Sequence, residues 1–406
     1  MNRFTLAAVA SIAGTTTAMA GGLDRSGQNI DILFEEGTLT ELSFGYISPS
    51  VDGTDRMPGY LSAGGPAANP NFGNGTGGVA DNFATGSLAV KQQVNEKVSF
   101  ALILDEPYGS DVSYGASGNT VDSLVFGPAI QVEGSALGGT RAIVDSFAVT
   151  ALGRYEFNNG FSVHGGLRYQ EIEADVTLGG LAYGGLNGYR GSFESDGAFG
   201  YVVGVAYERP EIALRVALTY NSKIDHELRT TETLSGQTVT AGTSTTDIRA
   251  PESLNLDFQT GVAPGTLVFG SIRYAKYEDL IVSPVFFDSQ VDPTIANSSL
   301  TSVENSLDVE IGVGRQFTER FAASIAVGYS SKGDDNLVSP LAPTNGSQSI
   351  ALGASYKVSD AVKLSGGVRY TKLGDAQPET GTPDVARADF DDNDVVAVGF
   401  KIGYSF

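Results

Sequence analysis

Apolar and polar or small residues alternate one for one along most of this chain. At the C-terminal end Val396, Val398, Phe400, Ile402, Tyr404 and Phe406 share one parity. Val395, Ala397, Gly399, Lys401, Gly403 and Ser405 share the other. In 212–221, Ile212, Leu214, Val216, Leu218 and Tyr220 oppose Ala213, Arg215, Ala217, Thr219 and Asn221. The runs 253–262 and 363–371 repeat the pattern. Successive side chains of a β-strand point to opposite faces, so these runs are strands with one greasy face and one mixed face.

The connections between strands alternate short and long. Tight turns fall at Asn95-Glu96, Asn158-Asn159-Gly160, Arg209-Pro210, Ala263-Pro264-Gly265, Thr318-Glu319 and Ser359-Asp360. Long, polar, Gly-rich segments lie between them, near 49–82, 106–140, 178–196, 225–249, 283–302, 333–346 and 377–392. The strands left between these connections fall near 38–48, 83–94, 97–105, 141–157, 161–177, 197–208, 211–224, 250–262, 266–282, 303–317, 321–332, 347–358, 362–375 and 393–406. An even number of strands with short turns at one end and long loops at the other is the layout of an outer-membrane barrel. Aromatics recur at two heights: Tyr169, Tyr220, Tyr274, Tyr329 and Tyr370 after the turns, and Phe157, Tyr207, Phe317 and Tyr356 at or before them. Nine residues at ~3.3 Å each, tilted ~40°, rise about 23 Å, close to the apolar band between two aromatic girdles. The fold class expected is all-β: a transmembrane antiparallel barrel.

The N-terminus supports this reading. Arg3, the apolar run Phe4 to Gly14 and Ala18-Met19-Ala20 form an export signal, expected to be removed after residue 20. No stretch of 18 apolar residues follows it, so no helical membrane span is expected. Residues 21–37 precede the first strand as a short hatch, and 38–406 form the barrel. With no Cys and 2 His, thiol chemistry, disulfides and a His-rich metal site are excluded. A formal charge of −22 argues against a nucleic-acid partner, because phosphate contacts need Lys and Arg.

Lipid does not solvate charge, so the apolar parity must face outward and the mixed parity inward. That places Glu41, Lys91, Arg154, Glu156, His164, Arg168, Arg215, Asp257, Arg273, Asp308, Glu310, Lys363, Arg369 and Lys401 in the lumen. Charges of both signs point to a crosslinked or plugged interior rather than a one-sign ion filter.

With the leader Leu23-Asp24-Arg25-Ser26-Gly27-Gln28-Asn29, Pro107-Tyr108-Gly109, Leu218 to Ile224, Pro251-Glu252-Ser253 and the terminal Gly403-Tyr404-Ser405-Phe406 in this order, the chain resembles the FadL (long-chain fatty acid transporter) family. The resemblance implies a fourteen-stranded barrel in the Gram-negative outer membrane, plugged by an N-terminal hatch. It implies passive, binding-guided transport of hydrophobic compounds such as long-chain fatty acids, with a lateral opening in the wall and no cofactor. The family's Asn-Pro-Ala hatch motif is replaced here by Ile32-Leu33-Phe34-Glu35-Glu36-Gly37. Glu171, Glu173 and Asp175 stand where fatty-acid-carrying relatives keep a basic residue. That departure weakens the expectation of a carboxylate-bearing substrate.

The candidate substrate-binding residues are apolar groups in the long loops: Leu124 and Phe126 in the second, Leu181, Tyr183 and Leu186 in the third, Phe286 and Phe287 in the fifth. Apolar groups gathered at a surface mark an interaction site; here they would form a landing groove, or else pack the loops together. Arg154 and Arg168 are the lumen cations placed to meet a ligand carboxylate. Asp225-His226 has the composition of a water-activating pair, but no nucleophile accompanies it, so no enzyme is expected. The acidic loop residues Asp334, Asp335, Asp389, Asp391, Asp392 and Asp394 match no EF-hand spacing and read as solvated tips, with no metal site expected. The partners expected are a hydrophobic small molecule, outer-membrane lipid and lipopolysaccharide, around a monomeric barrel. The rival reading is a general diffusion porin for small polar solutes.

Overall fold

In the computed structural model, residues 23–56, 75–115, 135–240, 242–291, 298–381 and 384–406 are described. Fourteen antiparallel strands close into a barrel. The first five are β1 (Leu39–Ser50), β2 (Phe83–Gln93), β3 (Val98–Asp105, resuming as Gly109–Ser113), β4 (Arg141–Glu156) and β5 (Phe161–Leu178). Then follow β6 (Tyr189–Arg209), β7 (Leu214–Asn221, resuming as Ile224–Leu234), β8 (Ser244–Ala250, resuming as Ser253–Ala263) and β9 (Thr266–Ala275). The last are β10 (Ser306–Gln316), β11 (Phe321–Ser330), β12 (Ser347–Lys357), β13 (Val362–Leu373) and β14 (Asp394–Ser405). Closure occurs at β1, which pairs with β14 from Leu39↔Ser405 to Ser50↔Asp394 and with β2 from Leu39↔Lys91 to Ile47↔Phe83.

The alternation sorts as solvent physics requires. Leu167 on β5 is 61% exposed while its neighbour Arg168 is 3% exposed. Exposed outward residues include Phe44, Leu102, Val203, Leu218, Ile311, Leu352 and Val398, and lipid is the solvent that accepts them. Tyr274, Tyr329 and Tyr370 stand exposed near the long-loop end, with Tyr220 half-buried, and Tyr155, Phe157, Phe161, Phe317 and Tyr356 are exposed near the short-turn end. Every charged residue assigned to the lumen is buried or half-buried. The Gly165-Gly166 pair lets strands approach closely: a Cβ on Gly166 would run into the Ala151 carbonyl of β4.

The strands are longer than their apolar stretches. β5, β6, β7 and β8 continue pairing well past the outer girdle, the last three into segments read from the sequence as loops. There the outward positions are Glu171, Asp225, Glu227 and Arg229. Above the hydrocarbon the lipid demand ends, so apolar alternation stops while the hydrogen-bond ladder goes on. The third loop is accordingly a short 3₁₀ segment, Leu181–Leu186, and the fifth carries helix α1, Val285–Val291.

Candidate functional site: a plugged lower lumen and an apolar upper chamber

The N-terminal segment runs inside the barrel. Its 3₁₀ turn Asp31–Phe34 buries Ile32, Leu33 and Phe34, which with Ile30 pack against the inner-face residues Leu39, Ala89, Ala101, Ile103, Leu152, Val202, Ala206 and Ala217. Phe34 meets His164 edge-on at 5.5 Å between ring centroids. The guanidinium carbons of Arg154 and Arg215 lie 4.8 and 5.0 Å from the Phe34 ring centroid, a cation–π arrangement.

Polar anchors surround this apolar turn on several strands. Asp24 accepts from Arg273 Nε at 3.0 Å and Nη2 at 2.7 Å, a two-point ion pair with both residues buried. Gln28 donates to the Tyr108 hydroxyl at 3.0 Å and accepts from Ser253 at 3.0 Å. Arg215 pairs with Asp31 at 3.3 Å, and Lys91 donates to the Glu35 carbonyl. Wall residues pair among themselves too: Arg369 with Glu310 at 2.5 Å, Lys401 with Glu41 at 3.2 Å, and Arg154 with Glu156 at 3.2 Å and with Glu208. The lower lumen is a crosslinked plug, as the mixed charges implied.

The barrel wall is interrupted between β2 and β3. Their ladder runs from Gln93↔Ser99 to Leu88↔Leu104 and stops. It resumes only at an isolated Ala80↔Val112 bridge. Between these points β3 breaks at Glu106-Pro107-Tyr108 and takes the N-terminal segment as its partner. Gly109 N–H donates to the Leu23 carbonyl and Arg25 N–H to the Pro107 carbonyl, each at 2.9 Å. Proline has no N–H to give a ladder, which places the break here. A cavity of ≈ 750 Å³ opens at this point, lined by Arg25, Ser26, Asn29, Thr85, Asp105 and Glu106 among others, at the height of outward-facing Phe44.

Above the plug lies a second cavity of ≈ 800 Å³ with a different lining. Its floor is Leu23, Tyr108 and Tyr277, and its walls include Val144, Ile172, Val176, Phe193, Leu228 and Ile248. Leu280, Val282, Leu300 and Leu341 close it from the loops. No charged side chain lines it. The two floor tyrosines touch the plug: Tyr108 O–H receives Gln28 Nε2, and Tyr277 O–H donates to Asp24 at 3.4 Å. A ligand resting on the floor therefore contacts residues that hold the plug.

The residues singled out in the sequence fall in three places. Phe287 is buried in the cluster around the chamber, and Phe286, Leu186 and Tyr183 pack against that cluster. Leu181 and Tyr183 pack against the neighbouring loop cluster that contains Tyr114, Leu137 and Phe390. These residues roof the chamber rather than line it. Arg154 and Arg168 sit below: Arg154 in the carboxylates described above, Arg168 donating to Thr150 at 2.8 Å and Asn221 at 3.2 Å. Leu124 and Phe126 lie outside the described residues. His226 does not pair with its neighbour Asp225. Its Nδ1 lies 3.2 Å from Asp196 of β6, while Asp225 faces outward to Arg249 at 2.6 Å. Among the described residues no group of three or more acidic or His side chains is placed to hold a metal ion.

Sequence reasoning missed Glu232. This carboxylate is fully buried and accepts from Tyr189 O–H at 3.0 Å and from the Phe286 and Phe287 backbone N–H groups, each at 2.9 Å. It ties the roof helix α1 to β7, and only the tertiary contact reveals it.

A plugged barrel with a wall break at β3 and an apolar chamber over the plug is a recognisable architecture. The fold is a FadL-type barrel. A Pseudomonas aeruginosa FadL homologue superposes with a TM-score of 0.67 at 14% identity, over 97% of this chain and 98% of that one. The Pseudomonas putida toluene transporter TodX gives 0.61 at 10% identity, covering 98% of each chain. The Ralstonia pickettii toluene transporter TbuX gives 0.59 at 11% identity, covering 97% of this chain and 98% of that one. No family model matches the sequence. No curated protein matches it either.

Proposed function

We propose that this chain is an outer-membrane transporter for uncharged, apolar small molecules, moved passively by binding in the chamber and release past the plug. The observation that carries this reading is the chamber lining: about twenty residues' worth of wall without one charge, directly above a lumen crosslinked by ion pairs. Burying apolar ligand surface there contributes ~25 cal/mol per Å², whereas an ionised carboxylate would be desolvated with no cation to meet it. Beneath it Arg154, Arg215, Arg273, Arg369 and Lys401 are held by wall and plug carboxylates, and Arg168 by Thr150 and Asn221. This favours hydrocarbons and other neutral lipophiles over ionised fatty acids. Resemblance to toluene transporters of the same fold agrees with it.

Leu181, Tyr183, Leu186, Phe286 and Phe287 form the outer roof over which substrate arrives, and the apolar Leu124 and Phe126 of the second loop are proposed to contact it as well. The leader 1–20 directs export, residues 21–37 act as the hatch, and the barrel works as a monomer in the Gram-negative outer membrane with lipopolysaccharide around its charged upper wall. No step requires a cofactor or a catalytic residue. The test is to purify the protein in detergent and identify co-purifying molecules by mass spectrometry. Neutral lipophiles are expected; a large steady ion conductance with no bound lipophile would replace this reading with a porin. Replacing Leu181, Leu186 and Phe286 with Ser should lower uptake of an apolar substrate without preventing barrel assembly; unchanged uptake would remove these residues from the route.

A further inference from the structure

A third cavity, of ≈ 820 Å³, rises beside the plug on the β1 side of the barrel. The loop between β11 and β12 divides it from the apolar chamber. Connecting loops normally run over the surface, yet Ser339, Leu341, Ala342, Pro343 and Asn345 of this one are buried. Leu341 and Ala342 line the apolar chamber. Pro343 and Thr344, next in the chain, line the third cavity. The loop is thus a septum with one cavity on each side. The walls of the third cavity are largely apolar. Ile47, Val51, Val112, Leu373 and Val395 come from one buried cluster, and Phe83 packs against it.

Its floor has a different character. Arg25 of the plug lines it, with only 8% of its side chain exposed. The guanidinium rests against Gly109, where any Cβ would collide with it, and 4.5 Å from the Phe83 ring centroid. Its one salt bridge is long, 3.8 Å to Asp145. Among the described residues this guanidinium donates no hydrogen bond, and its Nε is buried without a partner. Arg154, Arg168, Arg215, Arg273 and Arg369 each donate at least one. A buried donor left unpaired is destabilising, and an acceptor oxygen on a bound molecule would relieve it. The surrounding charge decides which oxygen. Asp145, Glu106 and Asp111 already act on Arg25, and Asp81 and Asp111 line the cavity. An ionised head would bring one more negative charge among these carboxylates. A carbonyl oxygen accepts from the guanidinium and adds none.

We infer that this cavity is a second binding chamber, for uncharged amphiphiles such as ketones and esters: the apolar body lies on Ile47, Leu373 and Val395, and a carbonyl oxygen accepts from Arg25. A mostly apolar pocket with one placed donor is the usual build of a small-molecule site. The septum then separates two ligand classes, hydrocarbons on the side of Leu341 and carbonyl compounds on the side of Pro343. The inference does not require the apolar chamber to be occupied.

The test uses three photoreactive probes that share one medium-length alkyl chain with a diazirine at its far end: a methyl ketone, a carboxylate and a plain hydrocarbon. Each is added to the full-length protein in detergent and flashed, and the adducts are located by mass spectrometry. The ketone is expected on Ile47, Leu373 and Val395, about tenfold more strongly than the carboxylate. Arg25→Met keeps the side-chain length and removes the donors. It should lower ketone labelling there about tenfold and leave hydrocarbon labelling of Leu228 in the apolar chamber unchanged. Equal ketone labelling with and without Arg25, or ketone adducts confined to the apolar chamber, would overturn the second chamber. Carboxylate labelling stronger than ketone labelling would overturn the uncharged head. Absence of hydrocarbon adducts on Leu228 would overturn the apolar chamber alone. Should Arg25→Met fail to assemble, the unmodified protein decides: a several-fold preference of Leu373 and Val395 for the ketone over the hydrocarbon supports the inference, and parity refutes it.

Discussion

The lower and upper halves of the lumen belong to one barrel and meet at Leu23, Tyr108 and Tyr277. Below, six ion pairs and the Phe34 turn occupy the bore; above, aliphatic and aromatic side chains surround a space. The difference lies in what each half must exclude. In the lower half charges are paired across the bore and the one aromatic plug residue is clamped by two arginines. The upper half must hold a molecule that water rejects, so charge is kept out of its lining. Plug anchoring and chamber lining fall on separate residues except at the floor tyrosines Tyr108 and Tyr277, so perturbing one half away from that floor should leave the other.

The sharpest way to break that separation is Arg273→Ala. It strands the buried Asp24 carboxylate, and losing one partner of a buried pair costs about 3–5 kcal/mol. Steady conductance in planar bilayers should appear where the unmodified protein shows little. A silent bilayer would mean the plug does not depend on this anchor. Next comes Phe34→Ala, which removes a buried ring from the plug for about 3 kcal/mol. Its unfolding temperature should drop while affinity for an apolar ligand stays within about twofold. In the chamber, Leu228→Asp should weaken apolar ligand binding by about 2 kcal/mol, or some thirtyfold, without raising conductance. A conductance rise in that variant would join the two halves into one device.

The smallest effect expected concerns the loop cap. Burial pushes the Asp55 carboxyl up to about 6, although Ser135 and the Ala136 N–H both donate to it at 2.7 Å. A carboxyl raised above its unfolded value of about 3.9 contributes stability at low pH and loses it as pH rises through the folded value. The cap should therefore loosen between about pH 4 and 6. Amide exchange at Ala136, corrected for its intrinsic rate, should be faster at neutral pH than in mild acid; no difference would dismiss Asp55 as a contributor.

The barrel was legible in the sequence because lipid imposes a one-residue rule on every strand. Val216, Leu218 and Tyr220 announce β7 without reference to any other strand. The lumen charges were legible by the same parity. Strand ends above the girdle were not, because Asp225, Glu227 and Arg229 satisfy the ladder and betray no lipid. The chamber was half legible. Its roof carries loop residues such as Leu186 and Phe286, which stood out as apolar groups in polar surroundings. Its walls include Ile172 and Leu228, each inconspicuous in its strand until the loops fold over them. Glu232 and the Asp196–His226 contact are products of distance in space, and no spacing in the chain marks them.

The break in β3 bears on how the molecule is made. Where Pro107 and Tyr108 leave β2, they take Leu23 and Arg25 as their strand neighbours. A stave of the wall thus borrows its seating from residues that are not part of the wall. The cylinder is not complete when its last strand meets its first; it is complete when the chain's leading end has been threaded inside. Trimming those few leading residues would then register first as slow or faulty maturation, before any change in what the finished pore lets through.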